Sequence, residues 1–485
     1  MSLTAAEQYL IELINRARLD PLAEAARYGI DLNEGLAAGA IDGSSKQVLA
    51  PSAVLDQAAT GHSTWMLAAD IFDHVGANGT LPWDRAGALG YVGAMGENIA
   101  MAGSGSSAAD LGRAVATHHE QFMHSHGHRE NFMLGYYREI GVAQHQGTFT
   151  TPDGSWDNSV VTELFGVMGE RVFLTGVAYA DRDGDGFYSM GEGRAGVSLT
   201  AQGGHTTTAT AGGYAIGVTA RQAVAVTGVS GDTHFALTVD MRPGNVKLDV
   251  VGGHLLLTSG SVTLGRGIDD VRLLGVEQLH ATGSAAANHL IGNSAGNHIS
   301  GALGADWLVG AAGDDKLWGG TGADRLLGGV GHDFLLGGSG ADGLLGGSGD
   351  DRLIGNTGTD SLTGGIGADS LNGGVGDDLL KGSAGNDRLT ASAGNDRVWG
   401  GAGADDFVFS GNFSSEVIRD FSVQAGDDLL LNNSLWTGQL TAAQAVARFA
   451  DVVRGDVVFD FGNGETITLD GVASLAGIAG CINIF

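Results

Sequence analysis

The sequence predicts a multidomain protein whose C-terminal half is a parallel β-solenoid. A chain of 485 residues is too long for one hydrophobic core. The run GGTGADRLLGGVGHDFLLGG, residues 319–338, contains one nine-residue phrase twice, which is typical of a repeat architecture. In the middle of the chain, the acidic loop DRDGDGFYSMGE lies between segments that alternate like β-strands. These observations predict at least three structural units.

Composition and charge exclude several classes of protein. The chain has 84 glycines and 5 prolines without a glycine at every third position, so it is not collagen-like. Its 25 basic and 55 acidic residues give a net charge of −30, which disfavours nucleic acid and anionic membranes as partners and favours cations. Cys481 is the only cysteine, so no disulfide framework and no cysteine-rich zinc site are expected.

The N-terminus predicts an amphipathic helix. Leu10, Ile11 and Ile14 follow a helical period and are interrupted by Glu12 and Arg16. The apolar core of a secretory signal peptide does not carry such charges, so we expect no N-terminal leader of that kind. No apolar run reaches about 18 residues, and no membrane-spanning helix is expected.

The glycine-rich half carries an aspartate at every ninth position. The register runs without insertion, and two further steps toward the N-terminus reach Asn288 and Asn297. An apolar residue follows two positions after each anchor, from Leu290 to Phe407. The anchoring aspartates are Asp306, Asp315, Asp324, Asp333, Asp342, Asp351, Asp360, Asp369, Asp378, Asp387, Asp396 and Asp405.

This repeat has a direct physical interpretation. Glycines before each aspartate permit tight turns, and the apolar residue after it suits a short strand that faces inward. Stacked turns place carboxylates in rows, where they repel one another unless a cation lies between them. Oxygen ligands of this kind suit calcium, so the aspartates are predicted to be calcium ligands. A disordered glycine-rich linker, the alternative, does not require an apolar residue at every ninth position.

The repeat phrase GGxGxDxLx resembles the RTX, or haemolysin-type, calcium-binding repeat. The resemblance implies a parallel β-roll over residues 259–410, lead-in strands included, with calcium held between turns. Asn288 and Asn297 lack carboxylates, so the first two units are expected to cap the roll without full calcium sites. Units around residues 381–397 lack one or both leading glycines, and weaker sites are expected there.

The segment GADDFVFSGNFSSEVIRDF, with the apolar tail that follows it, resembles the closing part of RTX rolls in secreted serralysin-like proteins. For residues 411–485 this implies a C-terminal cap and a type I secretion signal, with the type I export apparatus as partner and an extracellular destination. Folding would then follow in external calcium. The alternative is that the tail is only a last strand pair with an apolar edge.

The acidic loop of the central region has the ligand spacing of an EF-hand but is flanked by strands. It resembles the B-type β-sandwich repeats of bacterial surface adhesins, which implies a calcium-stiffened β-sandwich spacer over residues 171–258. An acidic surface loop that binds nothing is the alternative. The predicted ligands are Asp181, Asp183, Asp185, the Phe187 carbonyl, Ser189 and Glu192.

Residues 1–170 resemble the CAP superfamily, also called SCP-like, in its bacterial form. The segments that carry the resemblance are IFDHVGANGTLPWDRAGALGY, GENIA and SHGHRENFMLGYYREIGVA, in that order. The resemblance implies a three-layer α-β-α sandwich with one cleft.

Carried over residue by residue, the CAP cleft falls on His74, Glu97 and His128. In the family these positions can hold a divalent metal, and two imidazoles with one carboxylate would suit zinc with an open position. The same three residues are the candidates for catalysis, although Glu97 has the alternative role of orienting a histidine. Other residues of these segments are interpreted as a solvated helix face (His118, His119, His124, His126) or as packing residues (Trp83, Arg85, Asn131).

Three functions remain open from the sequence. The first is a non-enzymatic extracellular protein whose roll binds calcium and whose cleft binds a metal, lipid, small molecule or surface partner. The second is a secreted hydrolase, protease- or lipase-like, acting through the cleft; no HExxH motif is present to suggest a serralysin-type protease. The third is a calcium-dependent surface or matrix protein.

Overall fold

The computed structural model describes residues 3–103, 108–152, 154–218, 222–411, 413–462 and 464–485. The chain divides into two compact units, one of residues 1–268 and 272–277, the other of residues 269–271 and 278–485. The four-part division at residues 170, 258 and 410 is finer than these two units and stays a proposal. No helix in the described ranges combines the length and apolar character needed to cross a membrane.

The N-terminal part of the first unit contains six helices and one sheet. The sheet has the order β1-β3-β4-β2, in which β1 is parallel to β3 and the other pairs are antiparallel. A 3₁₀ turn covers Ala77–Gly79. The elements are α1 (Ala5–Leu19), α2 (Pro21–Arg27), β1 (Ala50–Pro51), α3 (Ala53–Ala69), α4 (Pro82–Gly87), β2 (Ala94–Gly103), α5 (Ala108–His124), α6 (His126–Phe132), β3 (Glu139–Thr151) and β4 (Gly154–Val167).

Helices cover both faces of this sheet because its strands are apolar on both sides. Val161 and Phe165 of β4 pack in one cluster with residues of α1, α5 and α6. The residues next to them, Val160 and Leu164, face the opposite side and pack against α3. Successive residues of a strand point to opposite faces, so one strand supports two cores. The α-β-α sandwich predicted from the CAP resemblance is confirmed.

The N-terminal helix begins where its sequence dictates. Thr4 and Glu7 form a capping box in which the Thr4 side chain accepts from the Glu7 N–H and the Glu7 carboxylate accepts from the Thr4 N–H at 2.8 Å. Leu10, Ile11 and Ile14, the predicted apolar face, are at most 2% exposed.

The central part of the first unit is a β-sandwich, as predicted. Within this part of the chain, one sheet contains the strand order β7-β6-β9-β10-β13 and the other contains β8-β5-β11-β12. The acidic loop joins β5 to β6, so strands flank it on both sides. The strands are β5 (Val172–Tyr179), β6 (Ser198–Ala201), β7 (Gly204–Thr207), β8 (Gly213–Val218), β9 (Ala223–Ser230), β10 (Thr233–Asp240), β11 (Val246–Val251), β12 (Leu255–Thr258) and β13 (Val262–Arg266), followed by β14 (Asp270–Leu273).

A buried ion cluster joins α1 to the sandwich. Lys247 of β11 lies 2.6 Å from Glu12 of α1 and also pairs with Asp249. All three side chains are at most 5% exposed. Removing one partner would leave a charge without compensation in the interior, so this cluster fixes α1 and β11 in one arrangement.

The second unit is built on a parallel solenoid in which each strand pairs with the strand 18 residues away, for example His298 with Lys316. Odd-numbered and even-numbered strands form two separate stacks. The strands are β15 (His280–Thr282), β16 (His289–Ile291), β17 (His298–Leu303), β18 (Trp307–Ala312), β19 (Lys316–Thr321), β20 (Arg325–Val330), β21 (Phe334–Ser339), β22 (Gly343–Ser348), β23 (Arg352–Thr357), β24 (Ser361–Ile366), β25 (Ser370–Val375), β26 (Leu379–Ala384), β27 (Arg388–Ala393), β28 (Arg397–Ala402) and β29 (Asp406–Phe409).

The apolar residue two positions after each anchor forms the interior of this roll. From Leu290 to Phe407 these side chains are at most 2% exposed. One apolar residue per nine-residue unit therefore supplies the core, and the predicted β-roll is confirmed.

A cap follows the roll. Its parallel strands β30 and β31 extend the two stacks, and β34 and β35 pair with them in turn. The apolar tail thus ends in a strand, and whether it also serves export stays a proposal. The cap elements are β30 (Ser415–Ile418), β31 (Asp428–Leu431), α7 (Ala442–Phe449), β32 (Ala450–Val453), β33 (Asp456–Gly462), β34 (Glu465–Leu469) and β35 (Ile482–Ile484), with 3₁₀ turns at Asn433–Leu435 and Ile478–Cys481.

Candidate metal sites

The anchoring aspartates stand in two rows along the roll. The Oδ1 atom of each aspartate accepts the backbone N–H of the anchor 18 residues earlier; Asp324 accepts from Asp306 and Asp342 accepts from Asp324, each at 2.8 Å. The second row repeats this with Asp333 and Asp351. One carboxylate oxygen per turn is therefore used to hold the stack together.

The other carboxylate oxygen of every anchoring aspartate has no protein partner. The Oδ2 atoms of all twelve, from Asp306 to Asp405, are buried without a hydrogen bond. The aspartates themselves are at most 3% exposed. A buried anionic oxygen without a partner is costly, and a row of them requires either protons or cations.

Leading glycines leave room beside these oxygens. A Cβ added at Gly328 would lie closer than 3.0 Å to Oδ2 of Asp333 and to the Gly346 carbonyl. The same holds at Gly310, which faces Asp315. Glycine is required here because a side chain would fill the space around the oxygen atoms. Buried carboxylates beside backbone carbonyls are hard oxygen donors, and they fit calcium.

Burial raises the pKa of these carboxyl groups. It raises the pKa of Asp315, Asp351 and Asp387 to about 7, and the neighbouring carboxylates of the row contribute to the rise. A bound cation has the opposite effect: it stabilises the ionised carboxylate and lowers its pKa.

The first two units differ from the rest. Asn297 donates its side-chain amide to Asn293 Oδ1 at 3.0 Å and accepts the Asn293 N–H at 2.8 Å. Asn288 accepts from Ser284 N–H and donates to the Asp269 carbonyl. Both amides are satisfied by the protein, which supports the prediction that these units cap the roll.

The acidic loop brings its first three predicted ligands together. One carboxylate oxygen each of Asp181, Asp183 and Asp185 lies within 4.8 Å of the others. Gly184 and Gly186 have φ of +75° and +74°, so the loop turns sharply between the aspartates. The group has the spacing and oxygen donors of a calcium site.

Glu192 closes the same loop. It is 4% exposed, and its two oxygens accept the N–H groups of Arg182 and Ser189 at 2.7 and 2.8 Å. The loop is thereby held in a closed turn. Ser189 contributes its backbone to this arrangement.

Phe187 connects the loop to α1. Its carbonyl is a predicted ligand, while its ring lies edge-on to Tyr9 at 6.4 Å and under the Arg16 guanidinium at 4.7 Å. Tyr188, next in the chain, is 2% exposed and packs against Tyr179. Two consecutive loop residues are thus embedded in the first unit, so the loop geometry is coupled to the packing of α1.

Glu97 is the centre of the predicted cleft. One of its oxygens lies 2.9 Å from His74 Nδ1 and 4.0 Å from His62 Nε2, and the other pairs with Arg85. Its side chain is 2% exposed, whereas that of His74 is 48% exposed. Glu97 therefore orients His74 and is neutralised by Arg85.

His128 lies on α6, half-buried, with its ring edge-on to Phe122 at 5.3 Å. Burial lowers the pKa of His128, and the nearby His74 lowers it further, so its imidazole is neutral at pH 7. Among the His, Cys, Asp and Glu side chains of the described residues, one group of three has its donor atoms within 4.8 Å of one another. That group is Asp181, Asp183 and Asp185. The donors of His74, Glu97 and His128 do not converge to that distance, so the three side chains as placed do not form a zinc site.

Two residues near the cleft escaped the sequence analysis. His62 is 1% exposed and continues the apolar stripe of α3 formed by Leu55, Ala59 and Met66, which was the signal for it. Glu163 has 0% exposure and points to the same face of β4 as Val161 and Phe165, the corresponding signal in a strand. It accepts from Asn98 at 3.2 Å, and burial raises its pKa to about 8.

Two interpretations were wrong, and together they concern three residues. His118 and His119 are completely buried and bond to Ser159 and Glu24, whereas His124 and His126 are exposed as predicted. Trp83, expected to pack in the core, is 57% exposed. Both errors arise because one helical turn presents neighbouring residues to opposite environments.

Comparison with protein-family models finds a match in two regions of the chain. Residues 11–151 match the cysteine-rich secretory protein family, CAP. Four copies of the RTX calcium-binding nonapeptide repeat match residues 282–317, 309–344, 345–380 and 372–407. The protein therefore carries a CAP domain and a run of RTX calcium-binding repeats.

Among solved structures, the chain is similar to the extracellular lipase LipA from Serratia marcescens. The identity is 18% and the TM-score 0.19, over 45% of this chain and 42% of that one. The chain thus spans less than half the length of that lipase. No curated protein matches the chain.

Proposed function

We propose that this is a non-enzymatic extracellular protein whose RTX roll folds on external calcium and which presents a CAP domain with a ligand-binding cleft. The anchoring aspartates of the roll are its proposed calcium ligands, with Asp181, Asp183, Asp185, the Phe187 carbonyl, Ser189 and Glu192 as ligands of a further site. Export by a type I apparatus, with the signal in residues 411–485, accounts for folding only after the chain meets calcium.

One observation carries this proposal: twelve buried carboxylate oxygens in two rows have no protein partner. Without calcium, the buried carboxylates of a folded roll at neutral pH would have to remain ionised without a counter-charge or take up protons. Calcium supplies the missing positive charge, and its binding free energy then becomes folding free energy.

A pair of neighbouring aspartates tests the proposal. Asp351 is 2% exposed with an unpartnered oxygen, whereas the Asp350 side chain is 62% exposed. In the full-length protein, Asp351→Asn is expected to raise the calcium concentration at the midpoint of roll folding at least severalfold. Asp350→Asn, which changes the net charge equally, is the matched control. Equal midpoints for both variants and the wild type, measured by circular dichroism, would contradict calcium ligation by the buried row.

For the CAP cleft we propose a binding role. Glu97 is engaged by His74 and Arg85. It therefore organises the cleft wall, and its oxygens do not converge with the donors of His74 and His128 on one metal position. Metal analysis of the purified chain tests this: a zinc ion retained per chain and lost in His74→Ala would contradict it.

The alternative function is a secreted hydrolase. It is favoured by the 2.9 Å contact between His74 and Glu97 beside a neutral His128, because a carboxylate that orients an imidazole is the arrangement of a general base. Turnover of an ester or peptide substrate that is lost in both His74→Ala and His128→Ala would support this alternative. The same turnover in a Glu97→Ala, His128→Ala double variant would exclude it.

A further inference from the structure

We propose that Asp396 and Glu416 form an additional calcium site that closes one carboxylate row and makes docking of the C-terminal cap dependent on calcium. Glu416 lies outside the repeats, in the cap strand β30. The inference rests on the proposed calcium binding of the roll.

Glu416 continues the row although it breaks the sequence register. In the repeats, each anchor N–H donates to the aspartate 18 residues later, whereas the Asp396 N–H donates to Glu416 Oε2, 20 residues later, at 3.0 Å. β30 pairs in parallel with β28 through Arg397 with Val417, which places Glu416 beside Asp396. Glu416 thus occupies the position of the next anchor in the stack.

Both side chains retain a buried oxygen without a partner. Asp396 and Glu416 are each 0% exposed, and no N–H group donates to Asp396 Oδ2 or Glu416 Oε1, so the two carboxyl groups must share either a proton or a cation. Within the described ranges, no Lys, Arg or His forms an ion pair with either carboxylate. Two adjacent carboxylates removed from water cannot both stay ionised without a cation.

The other row ends differently. Asp427 takes the next position there and accepts the Asp405 N–H at 3.2 Å, but its second oxygen accepts the Ser422 N–H at 2.8 Å. Asp420, also in the cap, bonds the N–H groups of Gly400 and Gly401 at 3.0 Å. These carboxylates are satisfied by backbone donors. Among the described carboxylates of the cap, the buried unpartnered oxygen is therefore that of Glu416.

The site is not a further copy of the repeat. Ala391 and Ser392 replace the two leading glycines of the Asp396 unit, so the repeat pattern by itself predicts only a weakened calcium site here. What indicates a cation is the pair of orphaned oxygens, one from the roll and one from the cap. Carboxylate oxygens are hard ligands, and calcium, with six to eight oxygens and flexible geometry, is the cation they suit.

Such a site would connect the cap to the roll. On its other side, β30 pairs with β34, where Glu416 lies opposite Ile467. β34 in turn pairs with β33, so the position of β30 determines the position of this sheet. A cation between Asp396 and Glu416 removes the repulsion that opposes docking of β30, and the cap is expected to close only when calcium is bound.

The test uses hydrogen exchange of the full-length protein across a calcium titration. Glu416→Gln keeps a hydrogen-bond acceptor for the Asp396 N–H but removes the charge. In this variant, we expect residues 414–418 to gain protection from exchange at a calcium concentration at least tenfold higher than in the wild type, or not at all. Residues 298–380 are expected to gain protection at the same calcium concentration as in the wild type. Asp451→Asn, an exposed change in the same cap, is expected to behave as the wild type.

A second readout separates ligation from a structural defect. Glu416→Gln is expected to bind one calcium ion fewer per chain at saturation, whereas Asp427→Asn, which removes the equivalent charge of the other row, is expected to lose none. An unchanged calcium midpoint for residues 414–418 together with unchanged stoichiometry in Glu416→Gln would overturn the site. A roll that shows no calcium dependence at all would instead contradict the proposed function.

Discussion

At the scale of single residues, the roll depends on two residue types with complementary tasks. Aspartate uses one oxygen to accept the N–H of the anchor 18 residues earlier and presents the other toward a buried space. Glycine keeps that space open, since a Cβ at Gly328 would meet Asp333 and the Gly346 backbone. Neither residue can be exchanged without disturbing the other.

A pair of glycines tests this division of tasks. Gly328 and Gly343 both lack a positive φ, but a Cβ at Gly343 would meet its nearest heavy atom only at 4.0 Å. We expect Gly328→Ala to destabilise the calcium-loaded roll by about 1–3 kcal/mol, the usual cost of overpacking. Gly343→Ala is expected to be nearly neutral. Denaturant unfolding in saturating calcium measures both, and equal stabilities would contradict the packing argument.

Glu163 predicts a pH dependence of the first unit. Burial raises its pKa from 4.5 to about 8, so the protonated form is favoured in the folded state. Its stabilising contribution is complete below about pH 4.5 and is lost as the pH rises through 8. Glu163→Gln keeps an acceptor for Asn98 and is expected to remove this loss, raising the free energy of unfolding at pH 9 by at least about 1 kcal/mol.

Thermal unfolding at pH 5 and pH 9 measures this effect. Exposed Glu130 on α6 provides the control, since Glu130→Gln removes the same charge without burial. A Glu163→Gln variant with the same pH dependence as the wild type would show that Glu163 does not titrate in this range.

At the scale of elements, the acidic loop is both a candidate calcium site and a packing element of the first unit. Phe187 and Tyr188 leave the loop and pack on α1 and β5. Asp181, Asp183 and Asp185 stand on the outer side of the same turn. Calcium at the aspartates is therefore expected to stabilise the packing of α1, far along the sequence.

This expectation is tested with Asp183→Asn. Calcium at 100 times its dissociation constant stabilises a single-site protein by about 2.7 kcal/mol, so the first unit of the wild type should unfold at a higher temperature in calcium. We expect Asp183→Asn to lose this shift, and α1 to exchange hydrogen faster. Asp232→Asn, on the exposed β9–β10 turn, should retain it. An equal rise in unfolding temperature in both variants would show that calcium stabilises the first unit through another site.

Elements with a strong period could be predicted from sequence, and sites that combine distant elements could not. The regular spacing from Asp306 to Asp405 predicted the turns, strands and core of the roll because each nine-residue unit packs in the same way. Glu416 escaped because the chain reaches the same place after 20 residues instead of 18. The contact of Glu97 with Arg85 depends on how α4 packs against β2, and no local sequence pattern predicts that packing.

At the scale of the whole molecule, the acidic composition and the calcium motifs have one explanation. The net charge of −30 opposes compaction of the chain, and much of it lies in the second unit. Calcium ions bound within the rows, as proposed, would neutralise this charge where it is densest. The first unit has an apolar core on both faces of its sheet and is expected to remain folded at low calcium.

The most direct test is a calcium titration of the full-length protein from chelator to millimolar calcium, followed by far-ultraviolet dichroism and hydrogen exchange, with bound calcium measured at each end. We predict that in chelator residues 282–407 exchange rapidly while β3 and β4 stay protected. Calcium should then restore protection in the roll, with several ions bound per chain. A roll that is equally protected in chelator, with no calcium bound at saturation, would contradict the account.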